Sequence, residues 1–335
     1  MKKKLLFLAI VFAFFKTSAQ HTVDIGISSG MVNYVGDLGN EKYFPISSAS
    51  PGCQLTIRNF LKTSARTYKP LSMEFRLSWH RLQYDETEPI GDVKGMDLRN
   101  YLRGIGFRND LFGASVNFMY TYYPSLFASS GKAQFCYFLL AGVGVYHGVP
   151  KADLFNGKAT LANRYYFWAD GTVRDAAETP GAKANVIRKD GEYETDLQEW
   201  RTEGQGYNTE LEQKKPYNYT NIGIPLGAGI RCKMNKKVTL SLEFDYYYFF
   251  TDYLDDVSGR YATYKELEAT FPDPQQLEMA KYISDPTGKG TNGFVMGSSP
   301  RGNPNKNDSF TFISFEVAYK LLLHRKSLWN NLSSK

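Results

Sequence analysis

Cysteine, histidine, long apolar runs and a true excess of charge are what this sequence has least of. Its 335 residues hold three cysteines, Cys53, Cys136 and Cys232. An odd number at unrelated spacings excludes a disulfide-stapled scaffold and reads as three small apolar side chains. The four histidines, His21, His80, His147 and His324, are scattered, and neither a metal site nor a cofactor is expected. Beyond the first twenty residues nothing approaches the ~18 uninterrupted apolar residues of a membrane-spanning helix. The formal charge of +6 is also smaller than it looks, because Lys2, Lys3, Lys4 and Lys16 belong to an N-terminal segment expected to be removed; without them 36 basic residues face 34 acidic ones, or +2. That balance argues against a surface that tracks nucleic-acid phosphates.

Aromatic residues, by contrast, are abundant, with 24 Tyr and 23 Phe. The chain opens with three lysines, an apolar run from Leu5 to Phe15, and Thr17-Ser18-Ala19 before Gln20. These are the charged, apolar and small-residue parts of a secretory signal peptide, with cleavage expected after Ala19. The expected organisation is therefore a signal peptide over 1–19, a folded unit over 20–323 and a C-terminal tail over 324–335.

Eight segments alternate with a period of two, which belongs to strands and not to a helix face. They run from Thr22 to Ser29, Gly52 to Phe60, Pro70 to Gln83, Leu111 to Tyr123, Phe135 to Tyr146, Asn221 to Lys233, Val238 to Phe250 and Phe310 to Leu323. The third is the plainest: Leu71, Met73, Phe75, Leu77 and Trp79 alternate with Ser72, Glu74, Arg76, Ser78 and His80. Each segment approaches or exceeds the roughly 9–11 residues that a tilted strand needs to cross a bilayer. Three links are short, at 61–69, 124–134 and 234–237. Four are longer, at 30–51, 84–110, 147–220 and 251–309. Short links alternating with long ones are the signature of an outer-membrane barrel with periplasmic turns and extracellular loops.

The expected fold is thus all-β: an eight-stranded antiparallel transmembrane β-barrel with long extracellular loops and short periplasmic turns. Its polar faces carry Arg58, Arg76, Arg231, Lys233 and Lys320 against Glu74, Glu243, Asp245 and Glu316. Such a near-balanced set suits a narrow lumen where charges must pair. A barrel of eight strands is filled by its own side chains, so no open pore is expected.

Motifs for chemistry are sparse. His80 shares a face with Glu74 and could approach Asp245, an arrangement readable as a base and its orienting group. The simpler reading is a lumen histidine with its hydrogen bonds satisfied. Gly142, Gly144 and Gly148 lack the spacing of a nucleotide loop and read as strand glycines that make room for bulky neighbours. Asp252, Asp255 and Asp256 gather three carboxylates after the seventh strand; calcium could use them, but the spacing is not that of an EF-hand, and a solvated or loop-packing acidic segment is the simpler reading. Tyr165, Tyr166, Trp168 and Trp200 imply that the loop 151–216 is partly ordered over the barrel mouth.

Several segments carry a family likeness: Tyr34-Val35-Gly36-Asp37-Leu38, Arg103 to Pro124 (RGIGFRNDLFGASVNFMYTYYP), Tyr137 to Ala152 (YFLLAGVGVYHGVPKA), Ile222 to Gly229 (IGIPLGAG) and Thr251 to Tyr261 (TDYLDDVSGRY). In this order the chain resembles the PorG-like outer-membrane barrels associated with the type IX secretion system, a machinery for protein secretion and gliding motility. Segments 155–216 and 265–307 lie outside the likeness. The resemblance implies a non-enzymatic protein of the cell outer membrane, in contact with lipid and with the periplasmic ring of the lipoprotein PorK with PorN, and without a small-molecule substrate. Its partner surface would be the short-turn side, for which Arg66, Tyr68, Lys132, Asn235, Lys236, Lys237, Arg325 and Trp329 are the candidates. The alternatives are a small barrel enzyme acting on lipid and a surface-loop receptor or adhesin.

Overall fold

The computed structural model describes residues 21–38, 48–61, 70–86, 96–124, 134–206, 215–290 and 299–323. Eight long strands form a closed antiparallel barrel: β1 (His21–Val35), β2 (Ser50–Phe60), β3 (Leu71–Asp85), β4 (Gly106–Tyr122), β5 (Gln134–His147), β10 (Thr220–Lys233), β11 (Val238–Phe249) and β12 (Ser309–Leu323). Between β5 and β10 lie four short strands, β6 (Pro150–Ala152), β7 (Tyr166–Phe167), β8 (Val173–Arg174) and β9 (Thr195–Asp196). Each long strand pairs with the next in sequence, and β1 closes the ring on β12 with His21 opposite Leu323. An even strand number sets the start of β1 and the end of β12 at the same rim, the one that carries the short turns.

The outer face of this cylinder is apolar. Ile27 is 66% exposed, Leu139 63% and Leu242 57%, and Leu77, Phe118, Val143, Ile222, Phe244, Phe315 and Val317 continue the band around the barrel. A continuous belt of this kind is far larger than the apolar patches that water-soluble proteins tolerate. It is the lipid-facing surface of a transmembrane barrel, with Tyr120, Tyr122, Tyr137 and Tyr319 near the short-turn edge and Phe112 and Phe250 near the other. Among the described residues no helix is long and apolar enough to cross a membrane. Cys53, Cys136 and Cys232 are free thiols.

The strands outrun the membrane. β4 has 17 residues and β1, β3 and β12 have 15 each. Their upper ends enter a folded cap built from the long links. There the inward side turns apolar: Val32, Tyr34, Leu82, Phe107, Leu111, Tyr146, Phe249, Phe310 and Phe312 join Leu154, Phe155, Tyr165, Phe167, Val173, Leu197, Tyr282 and Ile283 in one core. The short ladder β4–β6–β9 extends the barrel sheet into the cap.

The eight-stranded barrel is the one expected, and the links add helices to it at Met96–Arg103, Tyr264–Thr270 and Pro274–Ser284. The last two start on local signals: Thr263 and Glu266 form a reciprocal capping box, and Asp273 caps Gln276 N ahead of Pro274 in the first turn. One placement needs correction. Lys233 is not enclosed in the lumen; it is exposed, because it is the last residue of β10 and sits at the short-turn rim, where the lumen opens to water. The expected signal segment 1–19 and the tail 324–335 lie outside the described residues.

Candidate functional site

The lumen is closed by paired side chains in layers. Near the short-turn end, Met119, Phe138 and Leu140 form an apolar pad, and the Arg231 guanidinium lies 4.7 Å from the centre of the Phe138 ring. Arg231 Nε donates to Ser241 Oγ at 3.2 Å, and that hydroxyl donates to Glu316 Oε2 at 3.1 Å. Arg58 then joins Glu316, at 3.0 Å, to Glu74. Arg76 sits 2.7 Å from Glu74, 2.6 Å from Glu243 and 3.2 Å from Asp245. Asp24, missing from the charge set read in the sequence, is also buried, and its register neighbours are Arg58 and Lys320. Charges this far from water are tolerated only when paired, and seven of the nine expected lumen charges are buried here.

Above them comes an aromatic layer. Gln54 Nε2 donates to Tyr247 OH at 2.7 Å and lies 3.2 Å from His80 Nε2. Tyr247 stacks on Phe310 with ring centres 4.4 Å apart, and the His80 ring is enclosed by Tyr247, Phe310 and Phe312. Asp245 pairs with Arg76, and His80 with Gln54. His147 stands at the outer rim with Nδ1 2.9 Å from Thr220 Oγ1. The strand glycines do make room: a Cβ at Gly142 would collide with the Asn117 side chain, and one at Gly144 with the Tyr146 ring.

At the barrel mouth three of the segments singled out by family likeness meet. Tyr34 OH donates to Asp255, lies 3.2 Å from Asp308 Oδ1 and accepts Asp37 N at 2.9 Å. Asn109 Nδ2 donates to Leu254 O at 2.8 Å. Asp256, held at φ +69°, accepts Thr202 Oγ1 at 2.6 Å and Tyr217 OH at 2.7 Å, and Arg301 lies 3.2 Å from it. Arg103 pairs with Glu86 and donates to Arg301 O at 3.2 Å. Burial pushes Asp255 and Asp308 well above the usual carboxylate range, Asp252 up to about 7 and Asp256 up to about 6. Asp255 and Asp256 thus point to different partners, and Asp252, Asp255 and Asp256 do not converge on one ion-sized centre among the described residues.

Of the expected partner residues, Asn235, Lys236 and Lys237 form the exposed turn between β10 and β11. Asn235 Oδ1 accepts Lys237 N and Val238 N, both at 2.8 Å, so the turn is held by its own side chain and presents its two lysines outward. Arg66, Tyr68, Lys132, Arg325 and Trp329 lie outside the described residues. The sequence reading missed the cap's helices and the way the acidic segment packs against Tyr34, although Thr263-x-x-Glu266 was available as a helix-start signal.

No protein-family model matches the chain, and no curated protein matches it. Among solved structures it is similar to Neisserial surface protein A, with a TM-score of 0.31 and 11% identity, covering 90% of this chain and 97% of that one. It is similar to a major outer membrane protein from Thermus thermophilus at TM-score 0.31 and 11% identity, covering 90% and 99%. The attachment invasion locus protein Ail of Yersinia pestis gives a TM-score of 0.27 and 7% identity, covering 91% and 100%. At these scores the fold assignment rests on the strand register and the apolar belt, not on the likeness.

Proposed function

We propose that this chain is a non-enzymatic outer-membrane component of the type IX protein secretion machinery, anchoring or contacting the periplasmic ring of PorK with PorN through its short-turn end. The observation that carries the proposal is spatial. Segments 34–38, 103–109 and 251–261, which bear the family likeness, are far apart in sequence yet join in one buried knot at the barrel mouth. The filled lumen supports a role other than conduction. The exposed lysines at 236 and 237 offer the periplasmic side a compact basic contact. The test is detergent extraction of cells that make the protein at native level, followed by its affinity capture. Ring components co-purifying support the anchor; a deletion that stops secretion although no ring component is ever captured removes it.

A surface-loop receptor is the second reading, favoured by the folded cap. Excising 158–206 without any change in surface binding or secretion would count against it.

A further inference from the structure

We propose that Asp153, Asp190 and Glu194 form a calcium site in the extracellular cap. Among the described residues, these three side chains bring one carboxylate oxygen each within 4.8 Å of one another. Oxygen ligands about 2.3–2.6 Å from a shared Ca²⁺ have separations of this size.

The arrangement follows from the ladder. β6 and β9 pair antiparallel with Lys151 opposite Asp196 and Ala152 opposite Thr195. Continuing that register sets Asp153 against Glu194, and like charges directly opposed on a sheet repel. The backbone satisfies only one oxygen of each. Asp153 Oδ2 accepts Gly191 N at 2.7 Å; Glu194 Oε1 accepts Leu154 N at 3.1 Å and Phe155 N at 3.2 Å, with Thr195 Oγ1 at 2.8 Å. Asp153 Oδ1 and Glu194 Oε2 are buried and accept no hydrogen bond from the protein, and Asp153 as a whole is 3% exposed. A buried carboxylate oxygen without a donor is costly unless a cation meets it. The cation acting on Asp153, Lys189, holds its ammonium 2.9 Å from Asp85 Oδ2. Asp190 completes the group from the exposed side, its Oδ2 accepting Gly157 N at 2.7 Å and its Oδ1 accepting Glu192 N at 3.0 Å, and water there can fill the remaining positions. An all-oxygen, acidic set on the outside of a cell suits a hard cation held with the modest affinity of extracellular calcium modules. Its effect would be to fasten the loop around residue 190 to the strand that continues the barrel sheet.

The experiment is calorimetric titration of the folded full-length protein in detergent with CaCl2 and with MgCl2, alongside proteolysis of the cap in Ca²⁺ and in EGTA. One calcium bound at about 10⁻³ M or tighter, more tightly than magnesium, with the cap protected by calcium, is expected. Asp153→Asn and Glu194→Gln should each weaken binding about tenfold or more, while Asp170→Asn in the same loop leaves it unchanged. Heat-dependent gel migration reports whether each variant barrel is folded; if Asp153→Asn is not, Asp190→Asn at the exposed edge reads the same affinity. No saturable binding up to about 10 mM calcium would overturn the site. So would binding that the three variants leave intact, or protection of the cap that is indifferent to calcium.

Discussion

Arg58 on β2 reaches Glu316 on β12 at 3.0 Å, although β1 lies between their strands. The intervening residue is Gly26, paired with Thr56 on one side and Ala318 on the other, and a Cβ there would strike the Glu316 carboxylate. The missing side chain is what lets the ion pair span a strand.

Gly26→Leu should therefore displace Glu316 and destabilise the barrel by about 1–3 kcal/mol, the usual cost of overpacking. Urea unfolding followed by the shift between folded and unfolded bands on a gel measures it. An unchanged midpoint would mean that the space over Gly26 is not needed.

Arg76 is the hub of the opposite half of the lumen, since Glu74, Glu243 and Asp245 all pair with it. Arg76→Met leaves three buried carboxylates without their shared cation. The expected loss is about 3–5 kcal/mol, seen in the same unfolding assay.

The cap should respond to pH in the opposite sense to a surface salt bridge. Burial raises Asp252 from 3.8 to about 7 and Asp256 from 3.8 to about 6. A carboxyl whose folded value is raised binds its proton more tightly in the folded state, so its contribution is full below the unfolded value and is lost as pH rises through the folded one. Hydrogen exchange in residues 251–261, measured in EGTA, is expected to slow as pH falls from about 8 to about 5 after correction for intrinsic rates. Asp252→Asn should remove the part of that dependence that lies near neutrality.

Much of the barrel was legible in the sequence, and where it was not the reason is physical. The predicted second strand begins two residues inside Ser50–Phe60, while β1 and β4 were read too short at their outer ends. Alternation marks a strand only where one face is apolar and the other polar. Above the membrane the inward residues Val32, Tyr34, Phe107 and Leu111 pack into the cap, while Arg108 and Asp110 take the outward side of β4, so the sense of the alternation reverses there. The charges at Arg58, Glu74 and Arg76 were placed correctly because strand parity sets them opposite the apolar row that faces lipid. The knot around Tyr34 joins residues from different links, and Asp153 and Glu194 come close from 41 positions apart within one link; no local period records either.

Charge reversal at the turn tests the partner face. Lys236→Glu with Lys237→Glu should reduce capture of the periplasmic ring and make what remains less sensitive to salt, while barrel unfolding is unaffected, because both side chains are exposed at the strand ends. Equal capture by the variant would move the contact elsewhere on the short-turn side.

The central claim is that the apolar belt touches hydrocarbon and the charged side chains are sealed within. Spin labels placed singly at Ile27, Leu242 and Val317, and at Thr56 and Ser241, in a cysteine-free chain folded into bilayers test it directly. The first three should be accessible to oxygen dissolved in lipid and shielded from a water-soluble nickel chelate, and the last two shielded from both. Ready access of the nickel chelate to Leu242 or Val317 would contradict the account.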